Sequence, residues 1–263
     1  MMVRVRWART AAVLGASTAV LAFGSGAASA ATDPYSQTPY GYDVSYPQCP
    51  GGTEPAAPPG ESYTFAIVGV GGGRPFTSNS CAGTEAATAA GVGIANVAYY
   101  FNTGYAGAYG RDINSTCSSD VSNGNDDGVF AGIKGHVLAQ DQKAWEIGCS
   151  EALYAQANAP APAPTMWWAD VETGNSWSTN TSLNQFALDG MSYFMSTKGG
   201  GGFYSSPSMW AKITGSSSWD TTPAMSGSWV AGTSSCSGAA LVGTGAWLVQ
   251  GGLNGGLDQD TAC

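Results

Sequence analysis

The sequence predicts an α/β fold, a (β/α)8-type TIM barrel with disulfides and with irregularity in its last strands. Three observations point there. Strand-like and helix-like runs alternate through most of the chain, the order that builds parallel β-α units. About 233 of the 263 residues remain after an export segment, which fits one such barrel. Acidic residues stand in or at the ends of predicted strands, where a parallel barrel gathers its functional side chains.

The elements follow in order. Arg4, Arg6 and Arg9, the uncharged apolar run Ala11 to Phe23 and the small-residue stretch Ala28-Ser29-Ala30 read as a signal peptide over 1–30, with the mature chain starting at Ala31. The apolar run is too short for a good membrane span. Residues 31–40 form a polar leader, expected to be loosely ordered, and 41–263 form a single barrel domain. Tyr42-Asp43-Val44 is a first short strand, and the Gly- and Pro-rich stretch 50–60 is a loop. Tyr63 to Val70 is a strong strand signal ended by three glycines. Cys81 to Ala90 is alanine-rich and helical, stopped by Gly91, and Ile94 to Phe101 is the next strand. Residues 104–135 read as a long surface excursion pinned by a disulfide.

Lys143 to Asn158 is a helix, ended by the alternating Ala-Pro stretch 159–164. Met166-Trp167-Trp168-Ala169 is a buried strand closed by Asp170-Val171-Glu172. Ser182 and Gln185 make a capping-box pattern, and Leu183, Ala187, Met191 and Phe194 give the following helix an apolar face. The glycines at 199–202 are expected to end it. Phe203-Tyr204, Ser228 to Ala231 and Ala246 to Val249 are the remaining strand candidates. A doubly wound nucleotide-binding sheet shares this alternation. Its phosphate fingerprint is incomplete here: Gly-Val-Gly-Gly-Gly at 69–73 is followed by Arg74-Pro75 and opens no clear helix, so it reads as a turn.

Charge and cysteine content narrow the function. Removing the signal takes away three of nine basic residues and none of eighteen acidic ones, so the formal charge moves from −9 to about −12. Such a chain is a poor partner for nucleic acid, because phosphate binding needs cations, and for anionic lipid. Six cysteines beyond an export signal argue for three disulfides in a secreted, extracellular protein. Of the possible connectivities, sequential pairing is expected because it closes short loops: Cys49–Cys81, Cys117–Cys149 and Cys236–Cys263. No C-x-x-C pair exists and His136 is the only histidine, so neither a zinc site nor a histidine-dependent hydrolase is expected, and no metal or cofactor is called for.

Asp170 and Glu172 carry the chemistry. Residues i and i+2 of a strand share a side, so their carboxyls stand roughly 5–7 Å apart. Retaining glycosidases hold their paired carboxyls roughly 5–5.5 Å apart. The same alternation puts Trp168 on the side of the two acids, where it is expected to help bind substrate, and Trp167 on the other. Carboxylates crowded together, with aromatics nearby, raise the pKa of at least one, which suits a general acid.

Several motifs in order resemble glycoside hydrolase family 25, the N-acetylmuramidase lysozymes. Tyr42-Asp43-Val44-Ser45 is similar to the family's opening Asp-Val-Ser, Phe65 to Val68 to its second strand, and Val97 to Phe101 to its third. Asp170-Val171-Glu172 resembles its catalytic Asp-x-Glu, and Gly202 to Ser205 its next Gly-x-Tyr strand. Gln250 followed by Leu257 to Asp260 resembles its closing segments. A related group of secreted hydrolase-like barrel domains in actinobacteria resembles the start of the chain as well. The resemblance implies a β/α barrel that cleaves the β-1,4 bond between N-acetylmuramic acid and N-acetylglucosamine in peptidoglycan. It implies Glu172 as general acid/base and Asp170 as stabiliser of the intermediate. It also implies Asp43 and Asp258 as parts of an acidic floor and Tyr99 lining the sugar subsite. The chain departs from the family in Tyr46-Pro47 for His-Trp, Val249 and Gly251 around Gln250, Asp260 for Asn, and a long excursion at 104–135. The reading is therefore a monomeric peptidoglycan hydrolase, or alternatively a barrel that binds wall glycan without cutting it.

Overall fold

The computed structural model describes residues 32–35, 39–49, 63–122, 138–221, 225–243 and 245–263. The signal peptide expected over 1–30, the loop expected at 50–60, His136 and the later part of the expected 104–135 excursion fall outside the described residues.

Eight strands close into a barrel in sequence order. They are β1 (Tyr40–Val44), β2 (Phe65–Gly69), β3 (Asn96–Asn102), β4 (Trp167–Asp170), β5 (Gly201–Ser205), β6 (Gly227–Ala231), β7 (Ala246–Asn254) and β8 (Leu257–Ala262). β1 to β7 are parallel to their neighbours, whereas β8 is antiparallel to both β7 and β1. Five α-helices are described: α1 (Ala82–Gly91), α2 (Ser115–Ser122), α3 (Leu138–Ala157), α4 (Thr181–Ser196) and α5 (Pro207–Thr214). An α/β barrel is thus present, but helix and strand alternate only from β2 to β6 among the described residues. The chain passes from β7 to β8 through a two-residue hairpin, with Asn254 paired to Leu257 across Gly255 and Gly256 at φ 60° and 87°. Such a loop can join only antiparallel strands, since a parallel connection needs a crossover.

Strand alternation sorts the side chains into two layers. Phe65, Ile67, Ala98, Met166, Trp168, Trp229 and Leu248 pack inside the barrel with Tyr35. Ala66, Val68, Val97, Tyr99, Phe101, Trp167, Ala169 and Val171 pack outside, against the helices. Tyr35 corrects the expectation of a loose leader. It is fully buried, accepts a hydrogen bond from Trp168 Nε1 at 3.0 Å and packs edge-on to Phe65. Asn96, the first residue of β3, holds the neighbouring Pro34 carbonyl at 3.0 Å, so the leader closes the N-terminal end of the barrel. Gly202 leaves the room that Trp168 occupies: a Cβ there would collide with the indole.

Other boundaries differ for local reasons. α4 is capped by Asn180, whose side chain accepts from Ser182 N at 3.1 Å. The expected cap, Ser182, lies inside the helix, and Gln185 reaches out to the Thr214 carbonyl instead. Gly201 and Gly202 begin β5 rather than ending α4. α3 starts five residues before the expected Lys143. α2 and α5 were not predicted, although Ser206 capping, Pro207 in the first turn and a left-handed Gly215 at the end mark α5 in the sequence. The three disulfides pair as expected, Cys49–Cys81, Cys117–Cys149 and Cys236–Cys263. No helix among the described residues is long and apolar enough to cross a membrane.

Candidate active site

The polar residues of the barrel collect at the end opposite Tyr35, where the parallel strands terminate. Asp43 stands one residue before the end of β1, Asn102 ends β3, Asp170 ends β4 and Tyr204 is next to last in β5. Gln250 comes from β7. The hairpin turns β8 back so that Asp258, near its start, pairs with Asp43. Glu172 lies two residues past β4, in line with Asp170. The structure therefore brings Asp43, Asp170, Glu172 and Asp258 to one rim. Glu172 and Asp258 are half-buried and meet solvent, while Asp43, Asp170 and Asp260 are buried beneath them.

Separate hydrogen bonds orient the acids. Tyr204 Oη donates to Gln250 Oε1 at 2.7 Å, and Gln250 Nε2 donates to Asp43 Oδ2 at 2.7 Å. Asn102 Nδ2 donates to Asp170 Oδ2, and Trp229 Nε1 donates to Asp260 Oδ1 at 2.7 Å. Tyr204 also packs on Trp229 with ring centroids 4.4 Å apart. Asp170 Oδ1 and Asp260 Oδ2 are buried with no hydrogen-bond partner among the described residues.

Burial drives the electrostatics. It pushes the Asp43 carboxyl up to about 8, with the negative charge of Asp258 adding to the rise and the bond from Gln250 opposing it. Asp170 is raised well above the carboxylate range by burial and then by Glu172, against the bond from Asn102. Glu172 is raised by burial and then by Asp258. Asp258 itself is raised by burial. A cluster of acids that resist ionisation can hold a proton at neutral pH, the requirement for donating one to a leaving group. Among the described residues no group of His, Cys, Asp and Glu is arranged to hold a metal ion.

Two expected subsite residues lie elsewhere. Tyr99 faces outward on β3: it is fully buried, its hydroxyl donates to the Pro160 and Pro162 carbonyls at 3.2 and 3.0 Å, and it packs on Trp167. Its position two residues from the outward Phe101 and Val97 dictates this, because strand alternation leaves it no access to the rim. Trp168 does point inward with Asp170, but one layer deeper, where Tyr35 and Trp229 seal it from any ligand. Neither can touch a sugar. Asn102, Tyr204, Gln250 and Asp260 take part in the site and were not anticipated as site residues. Gln250 could have been found from the inward register of Leu248 continued two residues along β7.

No protein-family model matches the chain, and no curated protein matches it.

Asp260 on β8 pairs with Gly41 and lies near Asp43 on β1, and burial raises it well above the usual carboxylate range, with Asp43 adding to the rise. Two ionised carboxylates are acceptors only, so a proton on Asp260 Oδ2, which has no acceptor or donor among the described residues, would make it a donor toward Asp43. The sign of the pH effect follows. Both groups have raised folded-state values, so their stabilisation is full below the unfolded value near 4 and is lost as pH rises through the folded values, about 8 for Asp43. Asp260→Asn keeps an acceptor for Trp229 and a donor for Asp43 while removing one titrating proton. Thermal unfolding followed from pH 5 to pH 9 should show the wild type losing melting temperature at the alkaline end and Asp260→Asn losing clearly less. Parallel curves would exclude the shared proton.

Proposed function

We propose that the protein is a secreted, TIM-type glycoside hydrolase that cleaves the β-1,4 bond between N-acetylmuramic acid and N-acetylglucosamine of peptidoglycan. The observation that carries this reading is the position of Glu172: a solvent-facing acid with a raised pKa, beside a buried Asp170 on the same barrel rim. Glu172 protonates the glycosidic oxygen and then serves as base. Asp170 stabilises the charged intermediate, either directly or by orienting the substrate's N-acetyl group, and is itself aimed by Asn102. Asp43 and Asp258 form the acidic floor, and Asp258 adds to the rise of the Glu172 carboxyl. Three disulfides and an acidic surface fit an extracellular monomer acting on a glycan.

The burial of Tyr99 and Trp168 leaves the rim without the two aromatics expected to hold sugar, which favours the alternative of a barrel that binds glycan without cutting. Incubation with purified peptidoglycan separates the two. The hydrolase should release new reducing ends, and mass spectrometry after borohydride reduction should find them on N-acetylmuramic acid. Binding with no new reducing ends would leave only the glycan-holding barrel.

A further inference from the structure

The loop that follows Glu172 borders a cleft of about 280 Å³ that the proposed chemistry does not use. Its lining includes Thr173, Asn175, Trp177, Thr181, Asn184 and Lys212. Two pieces of chain build it. One is the loop leaving β4 directly after Glu172. The other is the last turn of α5, held against the start of α4 where Asn184 Nδ2 donates to the Ile213 carbonyl at 2.9 Å and Gln185 Nε2 to the Thr214 carbonyl at 2.7 Å. Trp177 Nε1 donates to the Glu172 backbone carbonyl at 2.8 Å. The aromatic wall of the cleft is therefore tied to the same backbone that carries the acid.

Lys212 is the only charged residue in this lining. Its ammonium forms no ion pair among the described residues, in a chain of formal charge −9. A lysine in the last helical turn commonly serves the free carbonyls there. Here four of the carbonyls around it already have donors: Gly215 N bonds that of Ala211 at 2.9 Å, Thr214 Oγ1 that of Trp210 at 2.8 Å, and Asn184 and Gln185 those of Ile213 and Thr214. What remains is one exposed cation over a polar floor with a half-buried indole. That combination suits a ligand with an amide or sugar body and an anionic end.

We propose that this cleft is a subsite for a carboxylate-bearing side arm of the glycan, the lactyl-linked peptide of muramic acid, with Lys212 receiving the carboxylate and Trp177 packing on the arm. The proposal rests on the glycan-hydrolase reading and names the part of the substrate that distinguishes it from a neutral chain of N-acetylglucosamine. Selection works by charge: the unpaired ammonium of Lys212 attracts an anionic arm and gives a neutral one no such gain.

The test titrates 15N-labelled full-length mature protein with N-acetylmuramyl dipeptide, which carries one free carboxylate, and with the same compound capped as its amide. The Trp177 indole N–H resonance should move on titration, and the acid should bind about fivefold more tightly than the amide. Lys212→Gln should abolish that preference and Lys212→Arg retain it, both with the wild-type melting temperature. Equal binding of acid and amide by the wild type, or an undiminished preference in Lys212→Gln, would overturn the subsite. The outcomes separate from those of the hydrolase reading. Preference without reducing-end release keeps the subsite and removes the hydrolase, and release without preference does the reverse.

Discussion

Glu172→Gln should abolish most of the release of reducing sugar from peptidoglycan, lowering kcat about 10²–10⁴-fold, while leaving fold and glycan binding intact. The replacement has the same shape and cannot give up or regain a proton. It should be well tolerated structurally, because the Glu172 side chain is half-buried and makes no hydrogen bond to the described residues; its backbone carbonyl accepts from Trp177 Nε1 and Asn175 N. Such substitutions usually change stability by no more than about 0.5 kcal/mol. Asp170→Asn should behave differently. Asp170 is buried, its Oδ2 accepts from Asn102, and its Oδ1 has no partner among the described residues, so the amide meets a changed hydrogen-bonding environment and should lower the melting temperature.

The pH profile gives the same claim a second measurement. A general acid works only while protonated. Burial and Asp258 raise Glu172, so wild-type activity should persist above the usual carboxylate range and fall as pH rises through the raised value. Asp258→Asn removes the second of those causes and should draw the alkaline limb to lower pH. An enzyme whose Glu172→Gln variant cuts at the wild-type rate, or whose alkaline limb ignores Asp258, does not use Glu172 as its acid.

The second large effect is on stability. Gly190→Ala should lower the melting temperature by about 6–12 °C. Gly190 in α4 lies against the Trp145 carbonyl of α3, and Gly148 in α3 lies against the Ala187 carbonyl of α4. A Cβ at either position would collide with backbone, which cannot rotate aside as a side chain can. Overpacking of this kind costs about 3 kcal/mol at the upper end of its ordinary range, and each kcal/mol shifts a chain of this size by about 2–4 °C. The site depends on this contact, since α3 and α4 flank β4 and hold the strand that presents Asp170. Gly91→Ala is the control: nothing lies within 4 Å of its Cβ position, and it should be neutral or slightly stabilising. The measurement is thermal unfolding by near-ultraviolet circular dichroism. A loss under about 2 °C for Gly190→Ala would mean the helices can part without strain.

Much of this arrangement was legible along the chain. The period-two pattern of Met166 to Glu172 placed Trp168 and Asp170 on one side, and in the structure Trp168 packs inside the barrel while Asp170 meets Asn102 at its rim. The spacing of the cysteines favoured short loops, and the disulfides close them. Two parts were misread, for different reasons. Tyr99 looked like a sugar platform because the resemblance assigned it a role, yet its own neighbours Val97 and Phe101 already marked it as outward-facing. β8 was missed because Asp258 and Asp260 interrupt its apolar pattern, although Asn254-Gly255-Gly256 is a hairpin signal.

Local sequence determined the strands, their inward and outward faces, the helix with its apolar stripe and the Asp-x-Glu pair, because each depends on neighbours within a few residues. Barrel closure decided the rest. It set β8 beside β1, so Gln250 reaches Asp43 across 207 residues and Asp258 pairs with Asp43. It also drew Tyr35 of the leader into the barrel floor. Which acids share one field, and which polar groups hold them, follows from contacts between strands far apart in the chain, and no local pattern encodes that proximity.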